Sequence, residues 1–220
     1  ENGELGKSEC WYVVYAEPGA EIVYGHTAQT REQLEEMISA GEWNKLLVKM
    51  PVKSGDFLYI PHGTIHALGK GIVVLEVQQN SDATYRAYDY DRVDHKGNRR
   101  ELHIDKVLEV TQVPFVKPKI QAQQQKERCL TVTKYLSGPF FTMAQWKLNG
   151  SYEAKTPNRF TLLSVLSGEA CLYWKEGDME IRKGDHLLIP RGLGKYTLKG
   201  ELEAIVSSSP DKAVQLSKAS

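Results

Sequence analysis

The sequence has 220 residues, of which 28 are Lys or Arg and 28 are Asp or Glu, so its formal net charge is zero. A neutral chain lacks the broad positive surface that nucleic acids and anionic membranes attract, which argues against both as partners. No run of about 18 apolar residues is present, which argues against a membrane-spanning helix. The three cysteines (Cys10, Cys129 and Cys171) are widely spaced, and the first residues show no signal-peptide pattern. We therefore predict reduced thiols and a cytoplasmic protein.

Most of the predicted elements are strands. Short β-branched and aromatic runs bounded by Gly, Pro or charge predict strands at 11–16, 57–60, 72–77, 160–166, 170–174 and 186–189. Helices are predicted where apolar residues recur at helical spacing: from Thr30, the expected N-cap, to Gly41, then at 42–50 and at 101–110. This pattern predicts a mainly β fold, either a sandwich or a barrel, with a small helical insertion at 30–50.

An internal repeat divides the sequence. The string Gly-Asp-x-Leu-x-Ile-Pro-x-Gly occurs at 55–63 and again, without a gap, at 184–192, which is 129 residues later. In physical terms it encodes a turn, a buried strand and a second turn. Three residues after the last Gly, the first copy has His66 and the second has Lys195. Because an ammonium group has no lone pair to donate, only the first copy is suited to hold a metal ion.

The segment between the two copies changes in character. Pro114 and Pro118 are followed by the polar run QAQQQKER, a composition typical of a connection between domains. We therefore expect a first domain at 1–112, a linker at 113–127 and a second domain at 128–220.

The first copy, Gly55-x5-Pro61-x-Gly63-x2-His66, resembles a conserved motif of the cupin superfamily, whose small jelly-roll β-barrels hold a metal in their mouth. The strings GDFLYIPHGTIHALGKG (55–71), LEVQQNSDATYRAYDYDR (75–92) and GELGKSECWYVV (3–14) are similar to the short bacterial form of the mannose-6-phosphate isomerase family. This resemblance extends over the whole chain. It implies two cupin barrels and a zinc enzyme that interconverts mannose 6-phosphate and fructose 6-phosphate.

The resemblance also implies particular site residues. In that family the zinc is held by a Gln-x-His pair, a Glu and a His, and by position the last two fall on Glu9 and His66. The family's active-site arginine falls on Arg86, and a pocket glutamate falls on Glu76. The Gln-x-His pair is expected before Glu1. We therefore expect the first barrel to be truncated at its start and a chain beginning at Glu1 to be inactive or nearly so.

The chemistry of an aldose–ketose isomerase fits these residue types. The reaction needs a base, stabilisation of a developing enediolate and a grip on phosphate. Zinc serves as a Lewis acid, and the planar donors of Arg86 suit either the phosphate or the oxygens that change charge. Glu76 is either the base or an orienting partner, and sequence does not decide between the two.

Two alternatives stay open at this point. One is a non-catalytic cupin that binds a sugar or another metabolite, and the other is a different metal cupin such as an iron dioxygenase. His62, next to Pro61, is interpreted as a neighbour of the site rather than a ligand. The remaining histidines have no motif support and are predicted to be surface or packing residues: His26, His95, His103 and His186.

Overall fold

The computed structural model describes residues 6–210. The chain divides into two compact units, Glu1–Lys119 and Ile120–Ser220. The boundary lies within the segment that was predicted as a linker, but residues Gln123–Glu127 of that segment form a strand. Within the described residues, no helix combines the length and the apolar character needed to cross a membrane.

From residue 6 onward, the first unit contains two three-stranded antiparallel sheets and three short helices. Its elements in chain order are β1 Glu9–Ala16, β2 Glu21–His26, α1 Arg31–Ser39, α2 Trp43–Leu46, β3 Leu47–Pro51, β4 Phe57–Ile60, β5 His66–Ala67, β6 Ile72–Gln78 and α3 Ile104–Val110. One sheet has the order β4-β1-β6 and the other the order β3-β2-β5. Side chains from both sheets, among them Trp11, Ile22 and Ile60, share one buried core.

The three helices form a second small core in the first unit. Thr30 caps α1, since its side chain accepts a hydrogen bond from the backbone N–H of Gln33. Leu34, Leu46 and Val107 are all buried in this cluster. The predicted helix at 42–50 is wrong beyond Leu46, because the following residues pair with β2 as strand β3. Local spacing does not reveal such a pairing, which depends on a distant strand.

The second unit is an antiparallel β structure. Its strands are β7 Gln123–Glu127, β8 Leu130–Ser137, β9 Thr142–Lys155, β10 Thr161–Trp174, β11 Gly177–Arg182, β12 His186–Ile189 and β13 Lys195–Ser208. They follow the order β11-β10-β13-β9-β8-β7, and β12 also pairs with β10. The predicted strands at 160–166 and 170–174 form one continuous strand, β10. The prediction of a mainly β fold is confirmed.

The two repeat copies have the same local geometry. Gly55 and Gly184 have φ values of 92° and 94°, a left-handed conformation that favours glycine. Each of the following aspartates accepts a hydrogen bond from a backbone N–H three residues earlier, at 2.9 Å in the first copy and 2.8 Å in the second. The turn is therefore set by its own residues and does not depend on the residue that stands at the His66 position.

Candidate metal and catalytic site

The centre of the candidate site lies on strand β1 and on Lys7, two residues before the strand begins. Side chains alternate between the faces of a strand, so Lys7, Glu9 and Trp11 lie on the same face. Glu9 is paired with Ile60 on one side and Gln78 on the other, which fixes its position between two strands. Its side chain is only 1% exposed. A carboxylate buried to this degree needs partners, and the structure supplies two of them.

His66 is the first partner of Glu9. Its Nε2 lies 2.7 Å from Glu9 Oε1. Its other ring nitrogen, Nδ1, lies 2.8 Å from the carbonyl oxygen of Thr64. Since a carbonyl oxygen only accepts, Nδ1 carries a proton and Nε2 is the atom directed at the carboxylate. The same orientation leaves Nε2 as the nitrogen that would ligate a metal.

Lys7 is the second partner of Glu9. Its ammonium group contacts Glu9 Oε2 and also donates to Glu76 Oε1 at 3.1 Å. One lysine therefore joins the two carboxylates. Burial alone would lower the pKa of Lys7, but its hydrogen bonds and attraction to Glu9 and Glu76 outweigh that effect and raise it above its ordinary value.

The charges within the Glu9–His66 pair stabilise each other. Burial alone would raise the pKa of Glu9, but the hydrogen bonds from His66 and Lys7 lower it below its ordinary value. Burial would lower the pKa of His66, and the hydrogen bond and charge of Glu9 raise it instead. The pair thus favours a carboxylate beside an imidazolium when no metal ion lies between them.

Glu76 is held at the accessible side of this cluster. Trp11 is its direct neighbour across the β1–β6 pair, and the indole Nε1–H donates to Glu76 Oε2 at 3.1 Å. The edge of the same indole contacts the His66 ring, with centroids 5.4 Å apart and planes at 73°. The Glu76 side chain is 33% exposed. It is therefore oriented by two donors and still within reach of solvent.

Arg86 lies in the long loop between β6 and α3, where a different set of contacts holds it. Its backbone N–H donates to the ring nitrogen Nδ1 of His103 at 3.0 Å. The backbone N–H of His103 donates in return to the carbonyl oxygen of Arg86 at 2.9 Å. The guanidinium Nη1 donates to the Glu101 carbonyl oxygen at 3.0 Å. The structure thus brings together Glu9, His66 and Glu76, while the contacts of Arg86 are with residues 101–103.

Three residues of the site were not predicted from the sequence. Lys7 and Trp11 share the face of Glu9, so strand alternation around Glu9 was the signal that could have found them. His103 was predicted to be a surface or packing residue, and it holds the backbone of Arg86. No local signal identifies this residue, because the contact depends on the course of the loop. His62 lies beside the site, with Nδ1 3.2 Å from Ser8 Oγ.

The second unit lacks these functional groups at the matching positions. Thr161 is paired with Ile189, as Glu9 is with the matching Ile60 of the first repeat copy. Lys195 takes the place of His66, and its ammonium forms an exposed ion pair with Glu153 at 2.9 Å. The second unit therefore retains the turn but has neither the buried carboxylate nor the imidazole.

The donors present match zinc in kind. Zinc binds imidazole nitrogen and carboxylate oxygen, and Glu9 and His66 place one of each side by side. Zinc sites in proteins use three or four protein ligands. Among residues 6–210, no group of three or more His, Cys, Asp or Glu side chains is arranged to hold a metal ion. The pair therefore fits as part of a ligand set.

Known proteins that are similar to this chain identify its family. Residues 131–209 match the family model described as mannose-6-phosphate isomerase, cupin domain. The chain is 48% identical over 207 residues to mannose-6-phosphate isomerase ManA of Bacillus subtilis (strain 168), covering 94% of this chain and 66% of the relative. It is 45% identical over 207 residues to mannose-6-phosphate isomerase of Streptococcus mutans, a match that covers 94% of this chain and 65% of the relative.

Solved structures show the same likeness. The crystal structure of mannose 6-phosphate isomerase from Bacillus subtilis matches with a TM-score of 0.89 and 43% identity, over 94% of this chain and 66% of that one. A mannose 6-phosphate isomerase bound with zinc and yttrium matches with a TM-score of 0.72 over 93% of this chain and 66% of that one. At 12% identity the latter match shows the fold alone.

The fold and the matched domain define a protein of the cupin class. Within that class, the chain belongs to the mannose-6-phosphate isomerase family. It spans 66% and 65% of the length of the two curated relatives described above.

Proposed function

We propose that this protein interconverts mannose 6-phosphate and fructose 6-phosphate with the help of a zinc ion. Family membership supports this reaction. The observation that carries the proposal is the buried Glu9 carboxylate, which faces His66 Nε2 at 2.7 Å and is joined through Lys7 to the accessible carboxylate of Glu76. A candidate metal-ligating pair beside a second, solvent-reachable carboxylate would supply both a Lewis acid and a base for an aldose–ketose isomerisation.

Glu9 and His66 are proposed as two of the zinc ligands. The others would be the Gln-x-His pair that the family resemblance places before Glu1. When bound, zinc would polarise the sugar carbonyl and stabilise the negative charge that develops during the reaction. The Thr64 carbonyl supports the ligand role of His66, because it binds Nδ1–H and keeps Nε2 directed toward the site.

Glu76 is proposed as the group that moves the proton between C1 and C2. Two donors fix its carboxylate, Lys7 and Trp11, and each is 3.1 Å from a different oxygen. A base held in this way meets the substrate in one orientation, which favours transfer between neighbouring carbons. Arg86 is proposed to bind the phosphate or the developing oxyanion, since its planar donors match either group.

We also propose a domain organisation for this chain. A first cupin barrel at 1–112 would carry the metal and the helical insertion at 30–50, and a second barrel at 128–220 would carry no metal. The absence of both ligand types at Thr161 and Lys195 supports a structural role for the second barrel. A phosphorylated sugar as the small-molecule partner and a cytoplasmic location complete the proposal.

A coupled assay of fructose 6-phosphate formation tests the activity on the full-length protein supplied with zinc. We expect Arg86→Ala to lower kcat/KM by at least about 100-fold with the fold intact. Arg182→Ala, in the turn of the second repeat copy, serves as the matched control and should leave the rate unchanged. Sugar binding without turnover would instead support a non-catalytic cupin. Bound iron with oxygen uptake would support an oxygenase, and either result would overturn the proposal.

A further inference from the structure

A cavity lies on the face of the β3-β2-β5 sheet opposite to the His66 side chain. Its volume is about 460 Å³. Lys49, Val23 and Ala67 line it, and they form one row across β3, β2 and β5, since Val23 is paired with both of the others. Successive residues of a strand point to opposite faces, so Ala67 faces this cavity while His66 faces Glu9. The cavity is therefore distinct from the candidate catalytic site.

The walls of this cavity carry four charged side chains. Lys49 and Lys70 line it, together with Glu17 and Glu21. In the part of the chain that the structure describes, none of these four side chains forms an ion pair or a side-chain hydrogen bond. Two ammonium groups and two carboxylates thus line the same space. Such groups are available to a ligand that carries both negative charge and hydroxyl groups.

A third cation, Arg92, is held in place at the rim. Its Nη2 donates to Asp89 Oδ1 at 2.7 Å, and its Nε donates to the Asp89 carbonyl oxygen at 3.1 Å. Its guanidinium also lies over the Tyr90 ring, 5.5 Å from the centroid. Tyr90 and Arg92 both line the cavity. A guanidinium fixed in this way loses little freedom on binding an anion.

The backbone that presents Tyr90 is strained. Tyr90 and Asp91 have φ values of 55° and 54°, so two consecutive residues other than glycine are left-handed. Such conformations are costly and persist only where surrounding contacts enforce them. Here the enforcing contacts come from Asp89, whose buried carboxylate accepts from both Arg92 and Arg100. This left-handed segment orients Tyr90 and Arg92 at the rim of the cavity.

We propose that this cavity is a second ligand site, which binds a small sugar or polyol with a single phosphate group. Lys49, Lys70 and Arg92 would bind the phosphate, and the carboxylates of Glu17 and Glu21 would accept hydrogen bonds from the hydroxyls. Two carboxylates also disfavour a polyphosphate through charge repulsion. The volume falls within the range of small-molecule sites. This inference goes beyond the proposed reaction, because it concerns another face of the protein.

Binding at the two sites is separated by observing each one directly. Mannose 6-phosphate is titrated into ¹⁵N-labelled protein carrying His66→Ala, with mannose and inorganic phosphate as the other probes. We expect saturable shifts at the amides of Gly19 and Gly69, which line the cavity. We expect mannose to bind at least tenfold more weakly than its phosphate. Detection at these amides is independent of turnover, so the failure of the proposed reaction leaves this test intact.

Substitution of the cations completes the test. Lys49→Ala with Lys70→Ala should weaken binding of mannose 6-phosphate about 100-fold, or about tenfold for each lost charge-assisted contact. The exposed Lys175→Ala is the matched control and should leave the affinity unchanged. Equal affinity for mannose 6-phosphate in the Lys49→Ala/Lys70→Ala double variant and in the Lys175→Ala control would overturn the proposal. So would shifts confined to residues near Glu9, or equal binding of mannose and its phosphate.

Discussion

Replacing His66 with Ala tests how much the Glu9–His66 pair stabilises the first unit. The substitution removes a charge-assisted hydrogen bond at 2.7 Å, which contributes roughly 1.5–3 kcal/mol. It also removes the edge contact with Trp11, which contributes about 0.5–1.5 kcal/mol. Glu9 keeps its contact with Lys7 and does not become an unpaired buried charge. We therefore expect a loss of roughly 2–4 kcal/mol in the free energy of unfolding.

Lys195→Ala is the matched control, because Lys195 occupies the equivalent repeat position. Its ion pair with Glu153 is exposed, with side-chain accessibilities of 73% and 64%. Exposed pairs of this kind contribute roughly 0–1 kcal/mol. The two substitutions therefore remove pairs at matching positions whose burial differs, and we expect clearly different costs.

Native-state hydrogen exchange measures these costs in each unit separately. With a chelator present at pH 7, protection of the β1 amides should fall roughly 30- to 1000-fold in His66→Ala, and protection of β10 should be unchanged. In Lys195→Ala the β10 amides should change less than about fivefold. Equal changes in the two variants, or a loss below about 0.5 kcal/mol for His66→Ala, would refute the reasoning. In the full-length protein, zinc added in place of the chelator should protect β1 in Lys195→Ala and not in His66→Ala.

Three further predictions concern other parts of the first unit. Trp11→Phe removes the indole hydrogen bond to the accessible carboxylate and should lower kcat by about tenfold while KM changes little, as steady-state kinetics would show. Gly25→Ala should cost at least roughly 2 kcal/mol more than Gly19→Ala in chemical denaturation. Both glycines have positive φ, but only at Gly25 would a Cβ meet the Phe115 ring, at 2.2 Å. The neighbouring arginines lower the pKa of Asp89 to about 2, so its stabilising effect should persist above pH 4 and disappear as the pH falls through 2, measurable by carboxyl NMR titration.

The sequence predicted those parts of the fold whose cause is local. The repeated turn was predictable because Gly55 and Asp56 supply both the left-handed residue and the hydrogen-bond acceptor. Helix α1 was predictable from Thr30 and its apolar spacing. Strand β3 was not, because Leu47 becomes extended through pairing with His26, which lies 21 residues earlier in the sequence. Pairing between distant strands leaves little trace in a short window of sequence.

The candidate site shows the same division. The metal-ligating candidates Glu9 and His66 came from motif positions, and the structure places their side chains in contact. That Lys7 would join two carboxylates depends on the β1–β6 register, which sets Trp11 opposite Glu76. Sequence could specify the residue types but not this register. The assignment of Glu76 and Arg86 to catalysis stays a prediction that the kinetic variants test.

The alternation of β1 has a consequence for how this protein tolerates insertions and deletions. A one-residue shift in the register of the strand would turn Glu9 and Trp11 to the other face, while the backbone ladder could still form. Their places would be taken by Ser8 and Cys10, or by Cys10 and Tyr12, depending on the direction of the shift. The irregularity between Val13 and Tyr15 interrupts the pairing further along. Length changes beyond that point can be absorbed there. The first five residues of β1, by contrast, must keep their number if the side chains of Glu9, Trp11 and Glu76 are to face one another.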